Sequence, residues 1–103
     1  MKYKFEWDNG NLAKMELVRK SGRIFSIAEI ESVFDDKNKI FHESYPDLIT
    51  QEQRYQVVGK TLKGIVIVLT FTYRNNKIRV FNVWKAKQAK LKLYNEKIAN
   101  LEK

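Results

Sequence analysis

Aromatic and charged residues alternate at the start of the chain, between positions 3 and 8. A period of two is typical of a half-buried strand, so we predict a β-strand there. Residues 8–11 are aspartate, asparagine, glycine and asparagine, which favour a turn leading into a helix N-cap. We therefore predict a first helix over residues 12–20, ended by the Ser21-Gly22 pair.

A second helix is predicted to begin after Ser26. Glu29 follows three residues later, which is the spacing of a capping box. The apolar residues of this segment recur at helical spacing and predict one buried face, formed by Ile27, Ile30, Val33 and Phe34.

Extended segments dominate the second half of the chain. We predict a short edge strand over residues 39–42, and consecutive antiparallel strands over residues 54–58, 64–74 and 77–84. Asn75 and Asn76 separate the last two strands, and both tolerate the positive φ of a tight hairpin. The irregular segment over residues 43–52 is expected to be a mobile loop.

A C-terminal helix is predicted over residues 86–101. Its apolar stripe consists of Leu91, Tyr94, Ile98 and Leu101. This stripe either closes the core or docks a partner, and the pattern leaves both open. Together the elements predict an α+β fold, in which two N-terminal helices and the C-terminal helix accompany an antiparallel sheet of four or more strands.

Composition narrows the class of protein. The 103 residues suffice for one domain, which we expect to span residues 1–103. The net charge of +8 favours a polyanion or an acidic protein as partner, although a lysine-rich solvated surface gives the same balance. The chain has no cysteine, which fits a reducing cytoplasm. Its longest apolar run, residues 65–69, is far short of the about 20 residues of a membrane span.

Strand parity brings a set of candidate site residues to one surface. The predicted set is Arg54, Gln56, Thr72, Arg74, Asn82 and Trp84. Arginines bind phosphate through two parallel hydrogen bonds, and a tryptophan stacks on a base. Alternatively the arginines pair with Glu52 or Asp47, and Trp84 belongs to the core.

The same parity argument places four residues of the last strand on a single face, namely Ile78, Val80, Asn82 and Trp84. Lys85 and Lys87 follow directly and are expected to add phosphate contacts.

His42 is the only histidine, which leaves no pair for a metal site and no reliable triad. It is either a general base or an ordinary structural histidine. Gly59 and Gly64 are turn glycines rather than part of a phosphate-binding loop. We therefore expect neither a metal nor a cofactor.

Several short motifs resemble those of the BrnT family, the toxins of bacterial type II toxin–antitoxin modules. The opening Trp7-Asp8-x-Gly10-Asn11-x-x-Lys14 is the most specific of them. The others, in order, are Ser26-Ile27-x-Glu29-x-Glu31-x-Val33-Phe34, Arg54-Tyr55, Gly59-Lys60-Thr61, Arg74 and Ile78-Arg79-Val80.

The resemblance implies a RelE-like fold and a ribonuclease that arrests translation until a cognate antitoxin neutralises it in a hetero-oligomer. For such a ribonuclease we expect Arg54, Arg74 and Lys85 to be the catalytic residues of this chain. We expect Asn82, Trp84, Lys87 and Arg23 to bind RNA.

The chain also departs from the family pattern. Ser21 stands near the position of a family histidine, and Asn82 and Trp84 replace a serine and an arginine at the end of the last strand. Lys85 is the cation nearest to that lost arginine. These departures motivate an alternative function, a non-catalytic protein-binding inhibitor of mobile-element origin on the same scaffold.

Overall fold

The computed structural model describes residues 3–11, 25–46 and 48–101, apart from the side chain of Leu101. Residues 9–11 are helical. The predicted first helix over residues 12–20 lies outside the described residues, and so do Arg23 and Asp47.

The N-terminal segment runs beside the sheet instead of forming a full strand. Phe5 makes a single parallel bridge with Ile78, so the prediction of a strand over residues 3–8 was wrong. Asp8 does cap the helical turn as expected, because its Oδ1 accepts the backbone N–H of Gly10 at 2.9 Å and that of Asn11 at 3.3 Å. The segment thus adds aromatic side chains to the core and ends in a capped helical turn.

Helix α1 spans Ile27–Ser32, and a 3-10 turn over Val33–Asp35 continues it. The predicted capping box is confirmed, since Glu29 N donates to Ser26 Oγ at 3.1 Å and Ser26 N donates to Glu29 Oε1 at 3.3 Å. The Ser32 hydroxyl donates to the Glu29 carbonyl oxygen, which is a local alternative to regular helical bonding at the point where the chain tightens.

Four antiparallel strands form a meander in the order β1-β2-β3-β4. They are β1 Ile40–Ser44, β2 Arg54–Lys60, β3 Val66–Arg74 and β4 Lys77–Lys85. The hairpin between β3 and β4 is confirmed, with φ of 55° at Asn75 and 62° at Asn76. Helix α2 spans Gln88–Leu101 and confirms the predicted C-terminal helix.

A β-bulge in β4 overturns the predicted parity of that strand. Thr70 pairs with Asn82, whereas the next residue, Phe71, pairs with Val80, so Phe81 is the extra residue. Ile78 and Val80 therefore share a face with Val83, and Asn82 and Trp84 lie on the opposite face. The hairpin register places Arg79 opposite Thr72, and because of the bulge Arg79 shares this polar face with Asn82 and Trp84.

Each face of the sheet carries its own apolar cluster. On one face Phe34 packs its ring against those of Phe5 and Phe71, with centroids 5.1 and 5.3 Å apart. On the other face α2 inserts Tyr94 against Val58. The α+β class and the four-stranded antiparallel sheet are therefore confirmed. No helix in the described part of the chain is long and apolar enough to span a membrane.

Candidate functional site

Three arginines meet in one cavity of about 270 Å³. We call it the arginine cavity, and it is lined by Gly10, Asn11, Thr50, Glu52, Arg54, Thr72, Arg74, Arg79 and Phe81. Strand pairing explains the convergence, because Thr72 lies directly opposite Arg79, and Tyr55 opposite Phe71 brings Arg54 next to Thr72. The predicted grouping of Arg54, Thr72 and Arg74 thus corresponds to a cavity.

Arg74 is bound to the carboxylate of Glu52. Its Nη2 lies 3.0 Å from Oε1 and 3.2 Å from Oε2, and its Nε lies 3.3 Å from Oε2. The alternative that Arg74 pairs with Glu52 is therefore confirmed. Since the Arg74 side chain is 50% exposed, this pair adds little to stability. It does show that the guanidinium fork is oriented to hold a planar pair of anionic oxygens.

Arg54 lies over an aromatic ring. Its guanidinium carbon is 4.7 Å from the centre of the Phe81 ring. Phe81 is the bulge residue of β4, so the bulge that reverses the faces of the strand also provides this ring. A cation–π contact of this kind helps to fix the position of the guanidinium.

Arg79 forms the buried wall of the arginine cavity. Only 9% of the residue is exposed, and its guanidinium pairs with Glu6 and with both oxygens of Asp8. The hydrogen bond from Arg79 holds the pKa of Asp8 at about 2. The predicted site omitted Arg79, because simple alternation along β4 assigns it to the face opposite Asn82 and Trp84.

The other predicted site residues line a second cavity, of about 670 Å³. Asn82, Trp84, Lys85, Ala86 and Lys87 surround it. Trp84 also packs against the cluster under α2, so part of its ring belongs to the core, as the alternative assumed. The predicted site is therefore divided: Arg54 and Arg74 lie in one cavity, and Lys85 with the RNA-binding candidates Asn82, Trp84 and Lys87 lies in another.

His42 lies outside both cavities. Its Nε2 is 3.2 Å from the Lys90 ammonium, and because an ammonium can only donate, that ring nitrogen is the acceptor. Burial and then the charge of Lys90 lower the pKa of His42 below its usual value. A neutral imidazole suits a base, but His42 does not reach the arginine cavity as part of its lining.

The described residues contain no group of three or more histidines, aspartates or glutamates suited to hold a metal ion. The anion-binding groups of the arginine cavity are guanidinium ions.

A family model described as the ribonuclease toxin BrnT of type II toxin–antitoxin systems matches residues 7–89. The chain belongs to the BrnT family. The match includes all four strands and every residue that lines the arginine cavity. A search of curated proteins gave no match.

Membership makes this chain a relative of ribonuclease toxins whose partner is an antitoxin protein. The described residues at which this chain departs from the BrnT family pattern do not line the arginine cavity. Ser21 lies outside the described residues, while Asn82 and Trp84 line the second cavity and leave the arginine cavity unchanged.

Proposed function

We propose that this BrnT-family chain is an endoribonuclease that arrests translation, built as one RelE-like domain over residues 1–103 and acting in the cytoplasm. The observation that carries the proposal is the pair of arginines at the rim of the arginine cavity, Arg54 and Arg74. One is oriented by a carboxylate and the other by an aromatic ring.

In this proposal an RNA phosphate takes the place that the Glu52 carboxylate now occupies on Arg74. Arg54 approaches the same phosphate from β2, and the two guanidinium ions stabilise the negative charge that develops at phosphorus during attack by the ribose 2′-hydroxyl. Arg79 has a different part. Its charge is neutralised by Glu6 and Asp8, so it supports the wall of the cavity and positions its neighbours.

The second cavity extends the RNA contact surface. Lys85 and Lys87 are exposed and offer phosphate contacts at the end of β4. Lys85 therefore serves RNA binding here more readily than charge stabilisation at the phosphate held by Arg54 and Arg74. Asn82 and the accessible part of Trp84 contact the nucleotide.

The antitoxin is the expected protein partner, and we propose that the two form a hetero-oligomer. A net charge of +8 favours an acidic surface on that partner. Covering the arginine cavity with carboxylates would neutralise the toxin by occupying the groups that bind phosphate.

Induced expression in a bacterium tests the proposal. The wild-type chain should stop growth and block protein synthesis, and the double variant Arg54→Ala/Arg74→Ala should do neither. A control with the same change in net charge, Lys37→Ala/Lys92→Ala, removes two exposed lysines that lie outside the arginine cavity, and it should remain toxic.

Two results would overturn parts of the proposal. Full toxicity of the arginine double variant would reject the site. A wild-type chain that neither cleaves RNA nor inhibits a purified translation system, yet binds an acidic protein, would support the non-catalytic inhibitor instead.

A further inference from the structure

A third cavity, of about 620 Å³, lies on the same sheet face as the arginine cavity. Its lining includes His42, Ser44, Tyr45, Gln53, Gln56 and Lys90. Strand β1 provides His42 and Ser44, β2 provides Gln56, the segment between these strands provides Tyr45 and Gln53, and α2 contributes Lys90. We call it the amide cavity because two glutamines belong to it.

The strand register places the two cavities side by side. Ser44 pairs with Arg54, and His42 pairs with Gln56. Gln56 follows Arg54 by two residues on β2, so both side chains point to one face and their Cα atoms are about 7 Å apart. A nucleotide whose phosphate is held by Arg54 would therefore have a neighbouring group within reach of Gln56.

The two glutamines of the amide cavity differ in their bonding. The Gln53 amide nitrogen donates to the carbonyl oxygens of Ser44 at 3.1 Å and Arg54 at 3.0 Å, which fixes Gln53 as part of the wall. The Gln56 side chain makes no hydrogen bond with the rest of the described chain. Gln56 thus presents an acceptor oxygen and a donor nitrogen to a ligand.

An exposed aromatic ring lines the same cavity as that amide. Tyr45 is 88% exposed and follows the last residue of β1. An amide beside an accessible aromatic ring is the combination that proteins use to bind an unstacked base of single-stranded RNA. Lys90 adds a positive charge at the rim, where a phosphate of the same strand would pass.

We propose that the amide cavity is a nucleobase subsite that selects adenine next to the phosphate held in the arginine cavity. Tyr45 stacks on the base, and the Gln56 amide pairs with its N6 amino group and N7, the pairing that glutamine makes with adenine. The inference rests on the proposed ribonuclease function, because the arginine cavity defines which base is adjacent.

Cleavage of short single-stranded RNAs that differ only at the base beside the scissile phosphate tests the subsite. Wild type should cleave the adenine substrate with a kcat/KM about tenfold or more above the other three. Gln56→Ala should reduce that preference to within about threefold, mainly by slowing cleavage of the adenine substrate. Gln88→Ala, which removes an exposed amide at the start of α2, is the matched control and should keep the preference.

A binding measurement separates the subsite from the ribonuclease function. An oligonucleotide with a 2′-deoxy sugar at the cleavage position and 8-azidoadenine as the tested base should photocrosslink to Tyr45 or its neighbours in the wild type, and less in Gln56→Ala. Crosslinking without cleavage of any RNA would keep the subsite and reject the ribonuclease. Normal cleavage with the same base preference in wild type and Gln56→Ala would overturn the subsite and leave the ribonuclease intact. Absence of both cleavage and crosslinking would overturn both.

Discussion

Arg79 on β4 binds Asp8 of the N-terminal turn through two hydrogen bonds, from Nη1 to Oδ2 at 2.6 Å and from Nη2 to Oδ1 at 3.1 Å. The same carboxylate caps the helical turn by accepting the N–H groups of Gly10 and Asn11. Asp8 thereby links Arg79, in the wall of the arginine cavity, to the helical turn at residues 9–11. A change in Arg79 should therefore affect stability before it affects chemistry.

Replacing Arg79 by methionine should lower the free energy of unfolding by about 2 kcal/mol or more, because Glu6 and Asp8 then repel each other without a shared cation. Urea unfolding followed by circular dichroism measures this. Arg74→Met is the control, and it should cost less than about 1 kcal/mol since that side chain is half exposed. Equal losses in the two variants would contradict the structural role of Arg79.

Glu52→Gln should increase affinity for RNA. The glutamate now occupies the guanidinium of Arg74, so a phosphate must displace a carboxylate in order to bind. Removing that negative charge should tighten binding of a non-cleavable oligonucleotide several-fold at low salt, and the gain should shrink as salt is raised. Fluorescence anisotropy measures the dissociation constants, and weaker binding by the variant would show that Glu52 itself contributes to RNA recognition.

Alanine should destabilise the fold at both Gly59 and Gly64, but for different reasons. A Cβ at Gly59 would lie 2.7 Å from Val33 Cγ1, so Gly59→Ala forces β2 away from the 3-10 turn and should cost about 1–3 kcal/mol. Gly64 has open space around it but a φ of +83°, so Gly64→Ala should cost about 1 kcal/mol through backbone strain alone. Thermal unfolding distinguishes the two causes when both substitutions are repeated in a Val33→Ala background. The cost of Gly59→Ala should be smaller there than in the wild type, and the cost of Gly64→Ala should be unchanged.

Lys90→Met should raise the pKa of His42. Burial and the Lys90 charge both disfavour the protonated ring, and the substitution removes the second cause only. An NMR titration is unambiguous because the chain has a single histidine. Since the folded pKa is depressed, the wild type should lose stability as pH falls through about 6.5, where the unfolded chain takes up the proton first. The variant should lose less over the same range, and an unchanged pKa would contradict the observed contact.

Tyr94→Phe should make the protein less sensitive to acid. Burial raises the pKa of Asp36, but hydrogen bonds from the Tyr94 hydroxyl and from the N–H groups of Lys60 and Asn38 outweigh it, so the net pKa is lowered. A carboxyl group with a lowered pKa in the folded state stabilises the fold at any pH above its pKa in the unfolded chain, which is about 3.9. This contribution is lost as the pH falls from there through the folded-state pKa. The difference in stability between wild type and variant should therefore be largest near pH 6 and shrink towards pH 2.

Local chemistry made much of this fold predictable. The Ser26–Glu29 capping box and the Asn75-Asn76 hairpin depend on residues close in sequence, and both were predicted correctly. The failed strand at residues 3–8 has the right alternation, but its neighbour β4 offers it only one bridge. Alternation of apolar and polar residues predicts which side chains are buried. It does not predict how many backbone hydrogen bonds a neighbouring strand can form with the segment.

The shared face of the candidate site was predictable, except for the residue that the bulge adds to it. Arg54 and Arg74 lie on strands with regular pairing, so parity placed them correctly on one face. Asn82 and Trp84 also lie on that face, as predicted, because they pair with Thr70 and Val68. Arg79 was missed, because simple alternation along β4 ignores the extra residue Phe81 and separates Arg79 from Asn82 and Trp84. A bulge depends on the register between two strands, so the sequence pattern of either strand alone does not predict it.

The bulge at Phe81 also determines which changes in length this gene product can tolerate. Substituting Phe81 by another large ring would keep the support under Arg54 and the register of β4. Deleting that single codon would instead remove the extra residue and restore regular pairing, so Asn82 to Lys85 would keep their present faces while Arg54 lost the ring beneath it. We therefore expect loss of Phe81 to leave the sheet intact and to affect the arginine cavity, whereas loss of a paired residue further along β4 would turn the residues beyond it to the opposite face.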